Sequence, residues 1–358
     1  MNNYVTLEQK EKLVKELETL QKKLKTTINI KKKMYLLEEL SMYYDILETI
    51  YDEYDKLEYY KNLCDTYKVT KYLIEKKQKI MIKNEIRSIN YYYDFYKELT
   101  KNIGRSLQSS KMMLSKIITN NNLTKSNLEN FIEIVNKNFS KDFSNFVYNE
   151  IKNNRLLLTD SYIESGICYT LSKKNLHYYI CEVSNGITYY DFMTIIHELS
   201  HGFAISNYSL FDEIYSIFNE FKLNNIIYNS KVALIDNKKA DLYYLKMISE
   251  TNKNFKDNLK FIQKVNKKYY DINDYDMHYL DNTHEYLISY ILGLKLYYQD
   301  LEDTELAHYN IKKIYEKNYN DISDINKLEK ISIDEILSCE PVKQYVKNVD
   351  SKWDSLKK

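Results

Sequence analysis

The chain has 358 residues, long enough for a large buried core in one or two domains. Its 52 Lys and Arg nearly balance 51 Asp and Glu, so no excess charge directs it to nucleic acid or to an anionic membrane. Five Gly and one Pro leave few chain breakers, which favours long helices over a many-stranded sheet. No run of about 18 apolar residues occurs, so no transmembrane helix is expected. Met1–Glu8 lacks the apolar segment of a signal peptide. The cysteines, Cys64, Cys168, Cys181 and Cys339, form no CxxC pair, and four thiols in so long a chain are not a disulfide scaffold. A reducing, cytoplasmic location is expected. The 38 Tyr accompany abundant Lys, Asn and Ile and are expected mostly in helix packing.

Residues 8–30 are expected to form an amphipathic helix, because Leu13, Leu17, Leu20 and Leu24 recur on one helical face. The pattern returns over 34–66 through Ile46, Ile50, Tyr54 and Leu57, and a third long helix is expected over about 70–103, ending near Gly104. Asn120-Asn121-Asn122 predicts a loop, and Ser126 with Glu129 a capping box opening a helix through Ile132 and Val135. Asp142 to Asn153 predicts another helix. No strict heptad is sustained, so residues 1–140 are taken as a helical wall rather than a coiled-coil partner surface.

The character changes after Leu156. Tyr169-Thr170-Leu171 and His177 to Val183 are rich in aromatic and β-branched residues and predict two strands, with Asn185-Gly186 as a turn. From Tyr189 onward the pattern is helical again. The expected fold class is mainly α, with a small β-sheet just before the segment that carries the chemistry.

Asp191 to Ala204 predicts a helix with Phe192, Ile195, Ile196 and Leu199 on its apolar face. His197 and His201 are one turn apart on one side, a spacing that lets two imidazoles bind one zinc at about 2.0–2.1 Å. Glu198 is rotated by about 100° from His197, toward a water on the metal rather than the metal itself, as in HExxH sites. A catalytic zinc needs a third protein ligand. The next helix, with Ser209 or Asp212 as its cap, offers Glu213, Ser216 and Glu220 on one face. Glu213 is nearest the loop returning from His201 and is the better ligand. Glu220 is either a partner of a ligand or a solvated helix charge.

Glu213-Ile214-Tyr215-Ser216-Ile217-Phe218-Asn219-Glu220 after HExxH resembles the oligoendopeptidase F and thimet oligopeptidase family of zinc peptidases, whose helix runs Glu-Val-Ala-Ser-Thr-Phe-Asn-Glu. Upstream, Ser165-Gly166-Ile167-Cys168, the strand 177–183, Gly186 and Asp191 follow the family's order. Downstream, His278, His284, Tyr286, Tyr290 and Gly293 resemble its late His and Tyr-x-x-x-Tyr helix. Specific motifs cover about 140–300. Three departures stand out: Ser200 replaces the family's Gly, the span from His201 to Glu213 is short, and the chain itself is short.

The resemblance implies a helical zinc-peptidase fold with the small sheet beside the HExxH helix and a substrate cleft between helical halves. It makes 1–140 the N-terminal helical wall and 141–358 the catalytic zinc-peptidase domain. It implies Zn²⁺ on His197, His201 and Glu213, Glu198 as general base, Tyr290 and Tyr286 as oxyanion donors, and His278 or His284 beside them. It implies a peptide lying as an extended strand against an edge strand, taken as 177–183. The expected activity is zinc-dependent hydrolysis of short or extended peptides. The alternative is a non-catalytic peptide-binding homologue that kept the zinc site. A closed structural zinc site is disfavoured because no cysteine has the spacing. No nucleic-acid or membrane partner is expected, and no motif specifies an oligomeric state.

Overall fold

The computed structural model describes residues 5–50, 86–87, 89–108, 123–160, 166–171, 176–183, 186–204, 211–231, 233–268, 283–316, 319 and 321–356. In chain order, the helices before the sheet are α1 (Leu7–Thr26), α2 (Ile30–Ile50), α3 (Tyr93–Gln108), α4 (Leu128–Asn138) and α5 (Lys141–Lys152). Strands β1 (Leu156–Thr159), β2 (Gly166–Leu171) and β3 (Leu176–Glu182) follow. Then come α6 (Asp191–Phe203), α7 (Ile214–Ser230), α8 (Leu234–Lys268), α9 (Thr283–Glu302), α10 (Thr304–Tyr315), a 3-10 turn (Ile322–Lys327), α11 (Ile333–Ser338) and α12 (Glu340–Leu356). The expected class, mainly helical with a small sheet beside the HExxH helix, is borne out. The chain divides into two compact units, one within Met1–Ile80 and Ser126–Phe203, the other within Met81–Lys125 and Ala204–Lys358.

In the first unit, Thr6 opens α1 with a reciprocal capping box. Its hydroxyl accepts from the Gln9 N–H at 3.2 Å, and the Gln9 carboxamide oxygen accepts from the Thr6 N–H at 2.9 Å. The helix stops at Thr26, short of the expected 30, because Thr27 is already extended. Leu13, Leu17 and Leu20 are buried with Tyr43, Tyr44, Ile46 and Leu47 of α2, and Leu157, Tyr178 and Ile180 of the sheet complete this core. The part of the second expected helix beyond residue 50 lies outside the described residues, as does Asn120-Asn121-Asn122. Asn127, not Ser126, caps α4: its side chain accepts from the Asn130 N–H at 2.9 Å. Ser126 instead gives its own N–H to the Ile187 carbonyl.

Among the described residues three strands, not two, form the sheet, in the order β1-β3-β2. β3 runs parallel to β1, with Leu156 opposite Tyr179 and Leu158 opposite Cys181. It runs antiparallel to β2, with Gly166 opposite Cys181 and Leu171 opposite Leu176. The strand expected at the edge is therefore the centre, both of its ladders occupied. β1 has no alternation because all four of its residues are buried, as a parallel strand covered on both faces requires. α6 packs on β2 and β3.

In the second unit, α3 runs through Gly104 to Gln108 rather than ending there. Most of the helix expected before it lies outside the described residues. α9 packs on α7 at close range: a Cβ on Gly293 would stand 2.8 Å from Ile217 Cγ2 and 3.2 Å from the Phe218 amide nitrogen. Asp241 of α8 is buried and accepts from Asn224 Nδ2 of α7 at 2.9 Å and from the Tyr345 hydroxyl of α12 at 2.7 Å.

Candidate metal centre

α6 starts where it does because Thr188 and Asp191 cap each other. The Thr188 hydroxyl accepts from the Asp191 N–H at 3.2 Å, and the Asp191 carboxylate accepts from the Thr188 N–H and hydroxyl, both at 2.8 Å. Phe192, Ile195, Ile196 and Leu199 are fully buried, as the periodicity predicts. That burial fixes the rotation of the helix, and with it the directions of the residues between. The Nε2 atoms of His197 and His201 face each other at 3.0 Å. Two nitrogens on one tetrahedral zinc would be about 3.3 Å apart, so the pair is close to metal-binding geometry. Ser200, between them, is fully buried and donates to the Ile196 carbonyl at 2.6 Å, so its hydroxyl is satisfied within the helix.

Glu198 turns toward the sheet and is 6% exposed. Its carboxylate lies over Gly166 of β2, where a Cβ would stand 2.6 Å from Oε1 and 2.9 Å from Cγ. Opposite Gly166, burial pushes the Cys181 thiol well above its ordinary pKa, and the Glu198 and Asp191 carboxylates add to the effect. At the end of α6, a Cβ on Gly202 would overlap the Tyr179 hydroxyl of β3. That hydroxyl donates to Glu150 at 3.3 Å, and Glu150 pairs with Arg155 at 2.6 Å. Tyr179, Gly202 and the Glu150–Arg155 pair carry no sequence signal of their own.

Glu213 is the N-cap residue of α7, with helical backbone angles and no side-chain capping bond. Asp212 does not cap the helix, and Ser209 lies outside the described residues. Glu220 is 8% exposed, which excludes a solvated helix charge. In the same unit, Tyr290 of α9 is 6% exposed. Burial pushes its phenol well above the ordinary tyrosine pKa, and the Glu220 carboxylate, Tyr243, Glu213 and Tyr286 add to the shift. Tyr290 therefore keeps its proton at neutral pH. Tyr286 is half-buried on the same helix. His284 stands in the first turn of α9, and His278 lies outside the described residues.

His197, His201 and Glu213 each offer one ligand atom, and these atoms lie within 4.8 Å of one another. All three side chains are half-buried. Two imidazole nitrogens and one carboxylate oxygen are a donor set that suits zinc with one open position. No helix among the described residues is long and apolar enough to cross a membrane.

No family model matches the chain, and no curated protein matches it. Among solved structures, it is similar to a 3.1 Å crystal structure of a protein provisionally described as oligoendopeptidase F. The TM-score is 0.50 at 12% sequence identity, over 74% of this chain and 58% of that one. The chain thus spans little more than half the length of that protein. At this identity the likeness is one of fold.

Proposed function

We propose that the chain is a zinc-dependent peptidase acting on short or extended peptides, with His197, His201 and Glu213 as metal ligands and Glu198 as general base. The observation that carries this reading is the convergence of two imidazole nitrogens and one carboxylate oxygen within 4.8 Å. The fold likeness to a protein described as an oligoendopeptidase supports it. Zinc, when bound, supplies a Lewis acid that acidifies water and polarises the scissile carbonyl. Glu198, buried between α6 and β2, takes a proton from water at a carboxylate oxygen and returns it to the leaving amine. Tyr290, neutral and buried, donates a hydrogen bond to the developing oxyanion, with Tyr286 one turn away on the same helix.

The extended peptide adds to β2 rather than β3, because β3 is hydrogen-bonded on both sides. β2 is also the edge strand that carries Gly166 beneath Glu198. Pairing through backbone groups tolerates varied side chains, so the enzyme selects extended shape over sequence. The reading places the enzyme in a reducing, cytoplasmic setting, in keeping with four thiols and no CxxC pair in so long a chain.

A quenched fluorescent peptide tests the reading. Cleavage should stop with a zinc chelator and return with added zinc. Glu198→Gln should keep zinc and lose about 10²–10⁴-fold in kcat. Peptide binding without cleavage by the zinc-loaded wild type would favour the non-catalytic homologue instead.

A further inference from the structure

We infer that Tyr315 is the positioning residue for Glu213: its phenol caps α7 in place of the N-cap side chain and fixes the turn from which the Glu213 carboxylate projects. The inference rests on reading Glu213 as a metal ligand.

The first N–H groups of a helix lack intrahelical partners, and the N-cap side chain normally accepts from one of them. Here Glu213 holds the N-cap position and its side chain makes no such bond. The N–H of Tyr215, the second helical residue, donates instead to the Tyr315 phenol oxygen at 3.1 Å. The same hydroxyl donates to the carbonyl of Phe211 at 3.2 Å. One oxygen thus ties the backbone two residues after Glu213 to the backbone two residues before it. The rings reinforce the tie. Tyr215 and Tyr315 meet edge-on at 6.1 Å, and the fully buried Phe211 meets Tyr319 edge-on at 5.3 Å.

The chemical consequence follows from what the alternative would be. A carboxylate that capped its own helix would have its oxygens directed at N–H groups, in competition with a metal ion. A phenol at the end of α10 does the capping without adding a negative charge. Groups that hold a ligand in place are worth about 10–100-fold in metal affinity.

The test uses the full chain and zinc itself, with affinity read by competition against a chromogenic chelator. Circular dichroism sets a temperature at which every zinc-free variant is folded. Tyr315→Phe keeps the ring and removes only the oxygen; it should weaken zinc binding about 10–100-fold. Glu213→Gln should weaken it further, and adding Tyr315→Phe to Glu213→Gln should change affinity by less than about two-fold, because a lost ligand no longer needs positioning. Wild-type affinity in Tyr315→Phe, with Glu213→Gln weakened, overturns this inference and leaves the ligand reading standing. Equal weakening by Tyr315→Phe in both backgrounds also overturns it, since Tyr315 then acts on the fold at large. Wild-type affinity in Glu213→Gln removes the ligand reading and this inference with it.

Discussion

Replacing Gly166 by Ala is the most direct test of how Glu198, the proposed general base, is held. Gly166 does not have a positive φ, so the backbone accepts an L side chain there. The obstacle is space. The new methyl would stand 2.6 Å from Glu198 Oε1, 2.7 Å from Thr194 Cγ2 and 2.9 Å from Glu198 Cγ. Carbon atoms attract at about 3.5 Å and beyond, so the Thr194 contact is short by about 0.8 Å. Overpacking of this kind costs about 1–3 kcal/mol when helix and sheet must separate. The carboxylate can relieve the worst contact more cheaply by swinging on its own torsions. The expected result is therefore a catalytic loss larger than the stability loss. A displacement of about 1 Å in a reacting group can cost about 100-fold, and kcat on a quenched peptide should fall by about that factor. Zinc content should stay at the wild-type level and Tm should fall by a few degrees at most. Gly104→Ala is the control, because a Cβ there meets only Asn252 Nδ2, at 3.7 Å. It should leave kcat unchanged and add about 0.5–1 kcal/mol of stability, as glycine removal from a helix interior does. Wild-type kcat in a zinc-loaded Gly166→Ala protein would refute the placement of Glu198 as the base.

Tyr290→Phe should lower kcat about a hundred-fold, since one oxyanion donor is worth about 2.7–4 kcal/mol, with KM and zinc content little changed. Tyr286→Phe measured beside it assigns the donor, and wild-type kcat in both would move attention to His278. Asp241→Asn addresses pH. Burial raises the Asp241 pKa, against the opposing pull of Lys352 and of the hydrogen bonds from Tyr345 and Asn224. A folded pKa above the unfolded one means the charged form opposes folding, so the penalty is absent at low pH and grows as pH rises past the ordinary aspartate range near ~3.9. Asparagine keeps the Oδ1 acceptor that both donors use. Urea unfolding should find Asp241→Asn more stable than wild type at pH 7, with the difference shrinking toward pH 3; a variant less stable at pH 7 would mean that the charge itself is needed.

The helix carrying His197, Glu198 and His201 was legible because local signals agree: an apolar stripe at helical spacing, two histidines one turn apart and a polar residue at its start. Glu213 entered as a candidate because two histidines at metal-binding spacing ask for a third ligand and the next helix began with a carboxylate; its ligand atom and those of His197 and His201 lie within 4.8 Å of one another. Sheet order was not, since it depends on pairing between segments far apart. β1 is four buried residues without alternation, which periodicity cannot separate from a helix end. Missing it made β3 look like an edge. The α4 cap went to Asn127 over its neighbour Ser126, a choice between two good capping residues that the chain settles by giving Ser126 another partner. Tyr315 was invisible for a different reason: it acts on a backbone 100 positions away, in a chain with 38 tyrosines.

Glycine scarcity sharpens what the few glycines mean. Gly186 takes a φ of 101°, which only glycine adopts without strain. Gly166, Gly202 and Gly293 do something else: each leaves no room for a methyl group. Gly166 lies beneath Glu198, Gly202 follows His201 against Tyr179, and Gly293 lets α9 reach the first turns of α7 behind Glu213. In each place an element that carries a proposed site residue meets its support closer than any side chain allows. A helix packed on a sheet through larger residues would stand farther off, and its polar residues would then be aimed by long, flexible contacts. At Gly166 and Gly202 one side of the contact is backbone, which has no rotamers, and the other is one or two side chains. The sheet is small, yet α6, whose rotation its buried apolar residues fix, meets β2 and β3 closely at two glycines, one beneath the proposed base Glu198 and one just past the second histidine.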